Sequence, residues 1–190
     1  MSDESRVGVH IPENYRCAGG ALAGRVIAVT GASAGIGRSA AIHYARHGAT
    51  VVLIARSEER LNAVCDEIEA AAYPQPAAVL FDFANENESD YAALAAAIGE
   101  QFPQLDGLLL NASILGERRP IAQANWPAWR EVMQVNVNSQ FLTVRALYPL
   151  LEAAPHGSIV FTSSGVGRTG RAYWGAYSVS KFATEAMMQI

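Results

Sequence analysis

Short, uniformly apolar runs alternate along the chain with longer segments in which apolar residues recur every three or four positions. Five runs predict β-strands, at residues 26–29, 50–55, 77–81, 105–110 and 158–162. The segments between and after them predict helices, at about 35–47, 58–72, 89–102, 137–151 and 176–190. Strands without polar alternation are buried on both faces, and strands joined by amphipathic helices form parallel sheets covered on both sides. The pattern therefore predicts an α/β fold, a doubly wound parallel sheet in three layers.

The first 24 residues contain neither a uniformly apolar run nor apolar residues at helical spacing. They end in a glycine-rich stretch with Gly19, Gly20 and Gly24. Glycine-rich terminal segments without an apolar period are typical of flexible arms. We therefore predict a flexible arm over residues 1–24 and one domain over residues 25–190.

Several residues indicate where the helices begin and end. Ser57 and Ser89 are predicted N-caps, because a serine hydroxyl can accept from the free N–H groups of a first turn. Gly48 is placed to end the first helix. Pro149 lies near the end of the long helix and is predicted to kink it.

The long helix has one continuous apolar face. Its members step by four, three, four and three positions, as one helical face requires: Val137, Phe141, Val144, Tyr148 and Leu151.

Composition and charge exclude several classes of protein. The 190 residues are 51% hydrophobic and 17% charged, with a net charge of −4, which is typical of a globular protein and not of a disordered one. An acidic chain has no basic excess to neutralise phosphates, so nucleic acid is not an expected partner. No apolar run reaches the roughly 18 residues of a membrane span, and no secretory signal is visible. Two cysteines without metal-ligand spacing favour a reduced, cytoplasmic protein with no metal site.

A glycine-rich loop, Thr30 to Gly37, joins the first strand to the first helix. Glycines let a pyrophosphate approach the backbone closely, and the helix start offers unpaired N–H groups to that anion. Three spaced glycines also occur in ordinary turns, but the strand–turn–helix context favours a dinucleotide site. Its predicted contacts are Gly31, Ser33, Gly35, Ile36 and Gly37.

The end of the second strand indicates which dinucleotide is bound. Sites for NAD usually place a carboxylate there, on the ribose hydroxyl, whereas this chain has Ala55 followed by Arg56. A guanidinium can pair bidentately with a 2′-phosphate. The position favours NADP(H) over NAD(H), the alternative being that Arg56 is a solvated loop residue.

Tyr177 and Lys181 lie four residues apart on a predicted helix and therefore share a face. An ammonium near a phenol favours the phenolate form, which makes the pair a candidate acid and base. A half-buried tyrosine beside a surface lysine is the alternative interpretation.

Two further residues, Ser164 and Asn136, lie at characteristic distances before Tyr177 in the sequence. Ser164 stands 13 residues before Tyr177, at the end of the fifth strand, and Asn136 stands 41 residues before it, in the long helix. With the glycine loop and the triplet Asn111-Ala112-Ser113, these positions resemble the short-chain dehydrogenase/reductase (SDR) family. The resemblance runs from about Arg25 to the last residue and implies a Rossmann fold and an NAD(P)-dependent oxidoreductase acting on CH–OH groups.

The resemblance also implies roles for these four residues. Ser164 would hydrogen-bond the reacting oxygen, and Tyr177 would donate or accept the proton. Lys181 would favour the phenolate and hold the nicotinamide ribose, and Asn136 would interrupt its helix and hold a proton-relaying water. Ser163 and Asn138 are the alternatives for Ser164 and Asn136.

Further cofactor contacts follow from the same resemblance. Asp82 would accept from the adenine amino group, Phe83 would lend its backbone N–H, and Asn111 would pack over the adenosine ribose. Ser113 departs from the family, which usually has glycine there, so its Cβ is expected to crowd the loop or the cofactor.

Family members continue past the helix of Tyr177 into further strands and a substrate-covering lid. The resemblance therefore implies a truncated sequence with strand order 3-2-1-4-5 and the fifth strand on an edge, and we expect little or no turnover from the 190 residues alone. An NADP(H)-binding module without turnover is the alternative function. The wider spacing of tyrosine and lysine in related enoyl reductases speaks against enoyl reduction.

The resemblance finally concerns partners and substrate. It implies a homodimer or homotetramer formed through the long helix and the helix of Tyr177, although core packing of the apolar face that contains Phe141 and Tyr148 is an equal alternative. The small-molecule carbonyl or alcohol substrate would lie between residues 114–124 and 165–174. Tyr173 and Trp174 favour an apolar substrate. Arg118 and Arg119 could attract an acid, but the favoured interpretation is that both face solvent.

Overall fold

Five parallel strands form the central sheet of the computed structural model, which describes residues 15–190. The strands are β1 Val26–Thr30, β2 Thr50–Ala55, β3 Ala77–Leu80, β4 Gly107–Leu110 and β5 Ser158–Phe161. Their order, β3-β2-β1-β4-β5, confirms the predicted order and the doubly wound fold. In this part of the chain β3 and β5 are the two edge strands.

Six α-helices cover the two faces of this sheet within residues 15–190. They are α1 Gly35–Arg46, α2 Glu58–Ala70, α3 Glu88–Gln101, α4 Trp126–Met133, α5 Ser139–Glu152 and α6 Gly175–Gln189. A π-helical turn, Gln134–Asn138, joins α4 to α5, and a 3₁₀ turn, Gly165–Gly167, follows β5. The predicted long helix is therefore interrupted near its start.

Two apolar clusters lie on opposite faces of the sheet. Val29 and Leu53 point into the cluster that includes Ala41 of α1. Ala28 and Ile54, their neighbours in sequence, point into the other cluster, with residues of α3 and α5. Because successive side chains of a strand alternate between faces and both faces are covered here, the strands are apolar throughout.

The helix caps differ in part from the prediction. Ser57 is the N-cap of α2, but its side chain makes no capping hydrogen bond. The prediction for Ser89 was wrong, because Asn87 is the N-cap of α3 and Ser89 lies within its first turn. Both Asn87 and Ser89 are polar residues suited to a cap, so composition alone does not choose between them. Gly48 has φ +95° after α1, as expected of a helix-ending glycine.

The apolar face predicted for the long helix packs into the core only in part. Phe141 and Tyr148 are 54% and 52% exposed. Val144 packs partly buried against the core, and Leu151 is buried. The buried side of α5 also contains Thr143 and Leu147. Core packing of Phe141 and Tyr148 is therefore excluded.

The segment before β1 contacts the domain where it is described. The Leu22 amide donates to the His47 carbonyl oxygen over 3.0 Å, and the Leu22 side chain packs partly buried on the core. Residues 1–14 of the predicted arm lie outside the described residues. Among residues 15–190, no helix is both long and apolar enough to cross a membrane.

An ion pair lies at the end of the sheet where the strands begin, next to β1 and β4. The Arg25 guanidinium donates to Asp106 over 2.6 Å, and the Val26 amide donates to the same carboxylate over 2.9 Å. Burial by itself would raise the pKa of Asp106, but these hydrogen bonds lower it. A cavity of about 260 Å³ lies beside this pair, at the opposite edge of the sheet from the glycine loop. The carboxylate in the lining of this cavity, that of Asp106, is already paired with Arg25. We therefore assign the cavity no catalytic or binding role.

Candidate active site

The glycine loop leaves the start of α1 free of competing groups. The N-cap is Ala34, which has no side-chain acceptor, and the first turn contains no acidic residue. The α2 helix, by contrast, begins with Glu58 and Glu59. The start of α1 therefore keeps its unpaired N–H groups and its positive dipole end available to an anion.

Two glycines of the loop are required by close backbone contacts. A Cβ on Gly37 would overlap the Gly31 carbonyl oxygen and lie 2.6 Å from the Asn111 amide nitrogen. Gly31 has φ +66°, and a Cβ there would lie 3.0 Å from Ala112 Cα. The loop can pack against the end of β4 only because both residues lack a side chain.

A cavity of about 140 Å³ opens beside the loop, at the ends of β1, β2 and β3. It brings together most of the side chains predicted to bind the adenosine half of a dinucleotide. Its lining includes Gly31, Ser33, Arg56, Asp82, Phe83 and Ser113. Arg56 and Asp82 are exposed and Phe83 is buried, so the rim of the cavity carries one guanidinium and one carboxylate above an apolar base. The residues present fit an adenosine phosphate carrying negative charge.

Asn111 has a structural role beyond the predicted packing over a ribose. Its side-chain nitrogen donates to the Thr30 carbonyl oxygen over 3.2 Å, and its side-chain oxygen accepts from the Thr162 hydroxyl over 3.3 Å. The hydroxyl of Thr30 accepts from the Asn111 and Ala112 amides over 2.9 and 3.0 Å. This network fixes the ends of β1, β4 and β5 relative to one another. Ser113 follows it and is exposed.

Lys181 is buried, with 1% of its surface exposed. Its ammonium donates to the Thr162 carbonyl oxygen over 2.7 Å and lies 5.6 Å from the centre of the Tyr177 ring. Burial lowers the pKa of Lys181 to about 8, since a low-dielectric surrounding disfavours its charged form. The alternative interpretation of a surface lysine is therefore wrong.

Ser164 begins the 3₁₀ turn that follows β5. Its Oγ accepts from the Val166 amide at 3.5 Å, the longest contact in this site. The turn itself is held on α6, because the Ser178 hydroxyl donates to the Val166 carbonyl oxygen over 2.6 Å. The hydroxyl oxygen of Ser163 is buried and has no hydrogen-bond partner in the described part of the chain.

Asn136 lies in the π-helical turn and is fully buried. The prediction that the helix is interrupted at Asn136 is confirmed by this turn. Its carboxamide accepts from the Ile114 amide over 2.8 Å and donates to the Ile114 carbonyl oxygen over 2.9 Å. Asn138, the alternative, is exposed and donates to Gln134 over 3.0 Å.

Three residues of this arrangement were missed by the sequence analysis: Thr30, Thr162 and Ser180. The first two contribute through a buried hydroxyl and a main-chain carbonyl, and Ser180 connects Asn136 to the main chain of Tyr177. Serine and threonine are common in proteins, and their partners here lie up to 82 positions away. The sequence carried no signal for them.

Comparison with known proteins places this geometry among dehydrogenases. The profile of the short chain dehydrogenase family matches residues 25–190. The uncharacterized oxidoreductase YciK of Escherichia coli K12 is 51% identical over 166 residues, which are 87% of this chain and 66% of YciK. A 3beta-hydroxysteroid dehydrogenase of Mediterraneibacter gnavus is 35% identical, over 89% of this chain and 61% of its own length. The chain thus spans about two thirds or less of the length of these relatives.

Solved structures agree with these matches. The structure of YciK from Escherichia coli superposes with a TM-score of 0.90 at 49% identity, over 93% of this chain and 72% of that one. A crystal structure from Escherichia coli CFT073, solved in complex with NADPH, superposes with a TM-score of 0.86 at 50% identity. It covers 88% of this chain and 70% of its own.

Proposed function

Since the chain belongs to the short-chain dehydrogenase family, we propose that it transfers a hydride between NADP(H) and a carbonyl or alcohol substrate, with Tyr177 as the acid and base. One observation carries this proposal: the only lysine of the chain is buried, and its ammonium lies 5.6 Å from the ring of Tyr177. A buried ammonium beside a phenol favours the phenolate form. A proton can therefore leave and return to Tyr177 at neutral pH more easily than in a free tyrosine.

The proposed cofactor is NADP(H). The glycine loop and the start of α1 would hold the pyrophosphate, and Arg56 would hold the 2′-phosphate. Support comes from the position of Arg56 on the rim of the 140 Å³ cavity and from the relative solved with NADPH. When bound, the nicotinamide would supply or accept the hydride.

Protein groups would position the substrate and move the proton. Ser164 would donate to the carbonyl oxygen, where negative charge develops during reduction, and Tyr177 would give that oxygen its proton. Ser164 is preferred to Ser163 for this role, because the hydroxyl oxygen of Ser163 is buried. Lys181 would hold the nicotinamide ribose.

Asn136 would position the neighbouring segments of the site and would take no part in the reaction itself. Both hydrogens of its amide are used, by Ile114 and Ser180. A water in the π-helical turn would therefore bind main-chain groups or the remaining lone pair of the Asn136 oxygen, and would connect Lys181 with solvent.

Transfer of deuterium tests the proposed function directly. The purified chain is incubated with NADPH deuterated at C4 and a panel of aldehydes and ketones, and the alcohols are analysed by mass spectrometry under single-turnover conditions, so that slow transfer is also detected. We expect deuterium on the carbinol carbon and tighter binding of NADPH than of NADH. Tight binding of NADPH without transfer to any carbonyl compound would instead establish a binding module.

We also propose that the chain forms a homodimer or homotetramer through the exposed apolar sides of α5 and α6. Phe141 and Tyr148 of α5 are each more than half exposed, and Val179 and Phe182 of α6 are 42% and 45% exposed. Large exposed apolar residues grouped on one surface are typical of subunit contacts. Sedimentation of Phe141→Glu as a smaller species than the wild type would support this contact, and unchanged sedimentation would contradict it.

A further inference from the structure

Two loops line an open cavity that contains two arginines and reaches the start of the helix that carries Tyr177. The cavity measures about 370 Å³ and lies between the segment after β4 and the segment before α6. Its lining combines Arg119 and Arg171 with the apolar residues Pro120, Ile121, Ala172 and Tyr173. It reaches Gly175, the first residue of the helix that carries Tyr177.

A third arginine is fixed next to this cavity by stacking. The Arg118 guanidinium carbon lies 4.6 Å from the centre of the Trp174 ring. The Trp174 ring in turn lies 6.0 Å from the Tyr177 ring. Stacking of a guanidinium on an aromatic face leaves its in-plane N–H groups free to donate. Arg118 is therefore held within two ring contacts of the phenol, with donors still available.

The carboxylates of this region are already paired with other cations. Glu117 pairs with Arg119 at 3.5 Å, and Glu185 pairs with Arg168 at 3.2 Å. Within residues 15–190, no carboxylate lies within 4.0 Å of Arg118 or Arg171. The mouth of the proposed site thus has a positive excess on a chain whose net charge is −4.

The backbone two residues after Arg171 is held in an uncommon conformation. Tyr173 has φ +69°, the left-handed region that residues other than glycine rarely adopt. Such strain clusters at ligand-binding and catalytic segments. Here it places an exposed tyrosine ring beside Arg171 on the wall of the cavity.

We infer that the substrate is an aldehyde or ketone that also carries an anionic group, which Arg118 and Arg171 receive while the carbonyl lies at Tyr177. This inference rests on the proposed function, because it takes Tyr177 as the position of the reacting carbonyl. Guanidinium groups bind carboxylates and phosphates bidentately. The apolar residues of the cavity, Ile121 and Tyr173, would contact the carbon skeleton between the two ends.

Matched probes test the charge of the substrate. Reduction by NADPH is measured for 4-formylbenzoate, for its methyl ester and for 4-formylphenyl phosphate, at low and high ionic strength. We expect kcat/KM for at least one anion to exceed that for the ester by about tenfold, mainly through KM, and to fall with added salt. A preference for only one anion identifies which group the arginines receive.

Variants assign the preference to the two arginines. Arg118→Gln and Arg171→Gln are expected to lower kcat/KM for the preferred anion by about tenfold and to leave the ester unchanged. Arg46→Gln, at the far end of α1, is the matched control and is expected to change neither. Equal kcat/KM for anions and ester in the wild type, or equal losses for both in the variants, would overturn the inference.

A binding measurement separates this inference from the proposed function. If none of the three aldehydes is reduced, the proposed function is decided by the deuterium-transfer panel, and calorimetric titration with 4-(hydroxymethyl)benzoate and its amide still decides the charge. Tighter binding of the carboxylate, lost in Arg118→Gln together with Arg171→Gln, supports the inference. Equal affinity for the carboxylate and the amide contradicts it.

Discussion

The side-chain amide of Asn136 donates to the hydroxyl oxygen of Ser180 over 3.0 Å, and both residues are fully buried. The Ser180 hydroxyl donates in turn to the Tyr177 carbonyl oxygen over 2.8 Å. Since Asn136 also binds both main-chain groups of Ile114, one carboxamide joins the π-helical turn, the loop after β4 and the helix that carries Tyr177 and Lys181. The geometry of the proposed site depends on this junction.

Removal of the Asn136 amide is expected to destabilise the protein. In Asn136→Ala the amide and carbonyl of Ile114 lose their partner in a buried place, at a cost of roughly 1–3 kcal/mol for each unsatisfied group. We therefore expect the free energy of unfolding to fall by about 3 kcal/mol, measured by urea denaturation. Asn138→Ala is the control, because Asn138 lies in the same turn but is exposed. Equal losses in the two variants would show that Asn136 does not form the junction.

The pKa of Lys181 can be measured without interference from other lysines. The chain contains a single lysine, so protein labelled with ¹³C-lysine gives one side-chain Cε signal. We expect this signal to titrate with a midpoint of about 8 in the folded protein and near 10.4 in urea. A folded midpoint above that of the unfolded chain would mean that the ammonium is stabilised by a charge and not desolvated.

The same shift predicts how stability depends on pH. Between pH 8 and the unfolded pKa of about 10.4, the unfolded chain retains the Lys181 proton while the folded protein with its pKa of about 8 has lost it. The unfolded state then binds more protons, so this group makes stability rise with pH in that window. Lys181→Met removes the contribution. From pH 8 to pH 10 the unfolding free energy of the wild type should therefore increase relative to that of the variant. A decrease relative to the variant would contradict the desolvation of Lys181.

Arg56 is expected to determine the preference between the two dinucleotides. Loss of one charge-assisted contact to the 2′-phosphate costs roughly 1.5–3 kcal/mol, so Arg56→Ala should weaken NADPH binding by roughly 10- to 100-fold and leave NADH nearly unchanged. Fluorescence titration with both nucleotides measures this. Arg60→Ala, an exposed arginine of α2, is the matched control. A loss of affinity of the same size for NADH would assign Arg56 a role other than phosphate recognition.

The close packing of the glycine loop predicts the effect of one added methyl group. Gly37→Ala forces its Cβ onto the Gly31 carbonyl oxygen and the Asn111 side chain, and overpacking of this kind costs roughly 1–3 kcal/mol. We expect lower stability together with weaker NADPH binding, because the loop must open. Gly19→Ala is the control, since a Cβ there meets nothing within 4 Å. Unchanged NADPH affinity in Gly37→Ala would show that the loop does not hold the pyrophosphate.

The strands could be predicted because a sheet covered on both faces requires uniformly apolar strands, which are visible in a sequence, whereas their order was implied by the resemblance to the short-chain dehydrogenase family. The buried face of α5 could not be predicted from the sequence. Its buried side includes Ser139, Gln140 and Thr143. Gln140 accepts from the Thr184 hydroxyl of α6, and the hydroxyls of Ser139 and Thr143 donate to main-chain carbonyls four positions earlier. Hydrophobic periodicity consequently pointed to the exposed face with Phe141.

Some residues of the candidate site could likewise be predicted from the sequence, and others could not. Tyr177, Lys181 and Asn136 were predictable because their order and spacing, together with the glycine loop, resemble one known family; the spacing of Tyr177 and Lys181 alone is common by chance. The hydroxyls of Thr30 and Ser180 were not predictable, because their hydrogen bonds join segments that only the folded sheet brings together. Burial of Lys181 was also unpredictable, since it depends on the carbonyl of Thr162 and on the close approach of Gly167 to the lysine backbone.

Substitution of Tyr177 by phenylalanine tests most directly the claim that its phenol moves the proton. Single-turnover transfer of deuterium from NADPH and the dissociation constant for NADPH are both measured in the wild type, in Tyr177→Phe and in the control Tyr148→Phe, whose ring is exposed on α5. The account predicts that Tyr177→Phe slows transfer by roughly 10²–10⁴-fold with unchanged affinity for NADPH, and that the control matches the wild type. Transfer at the wild-type rate in Tyr177→Phe would contradict it.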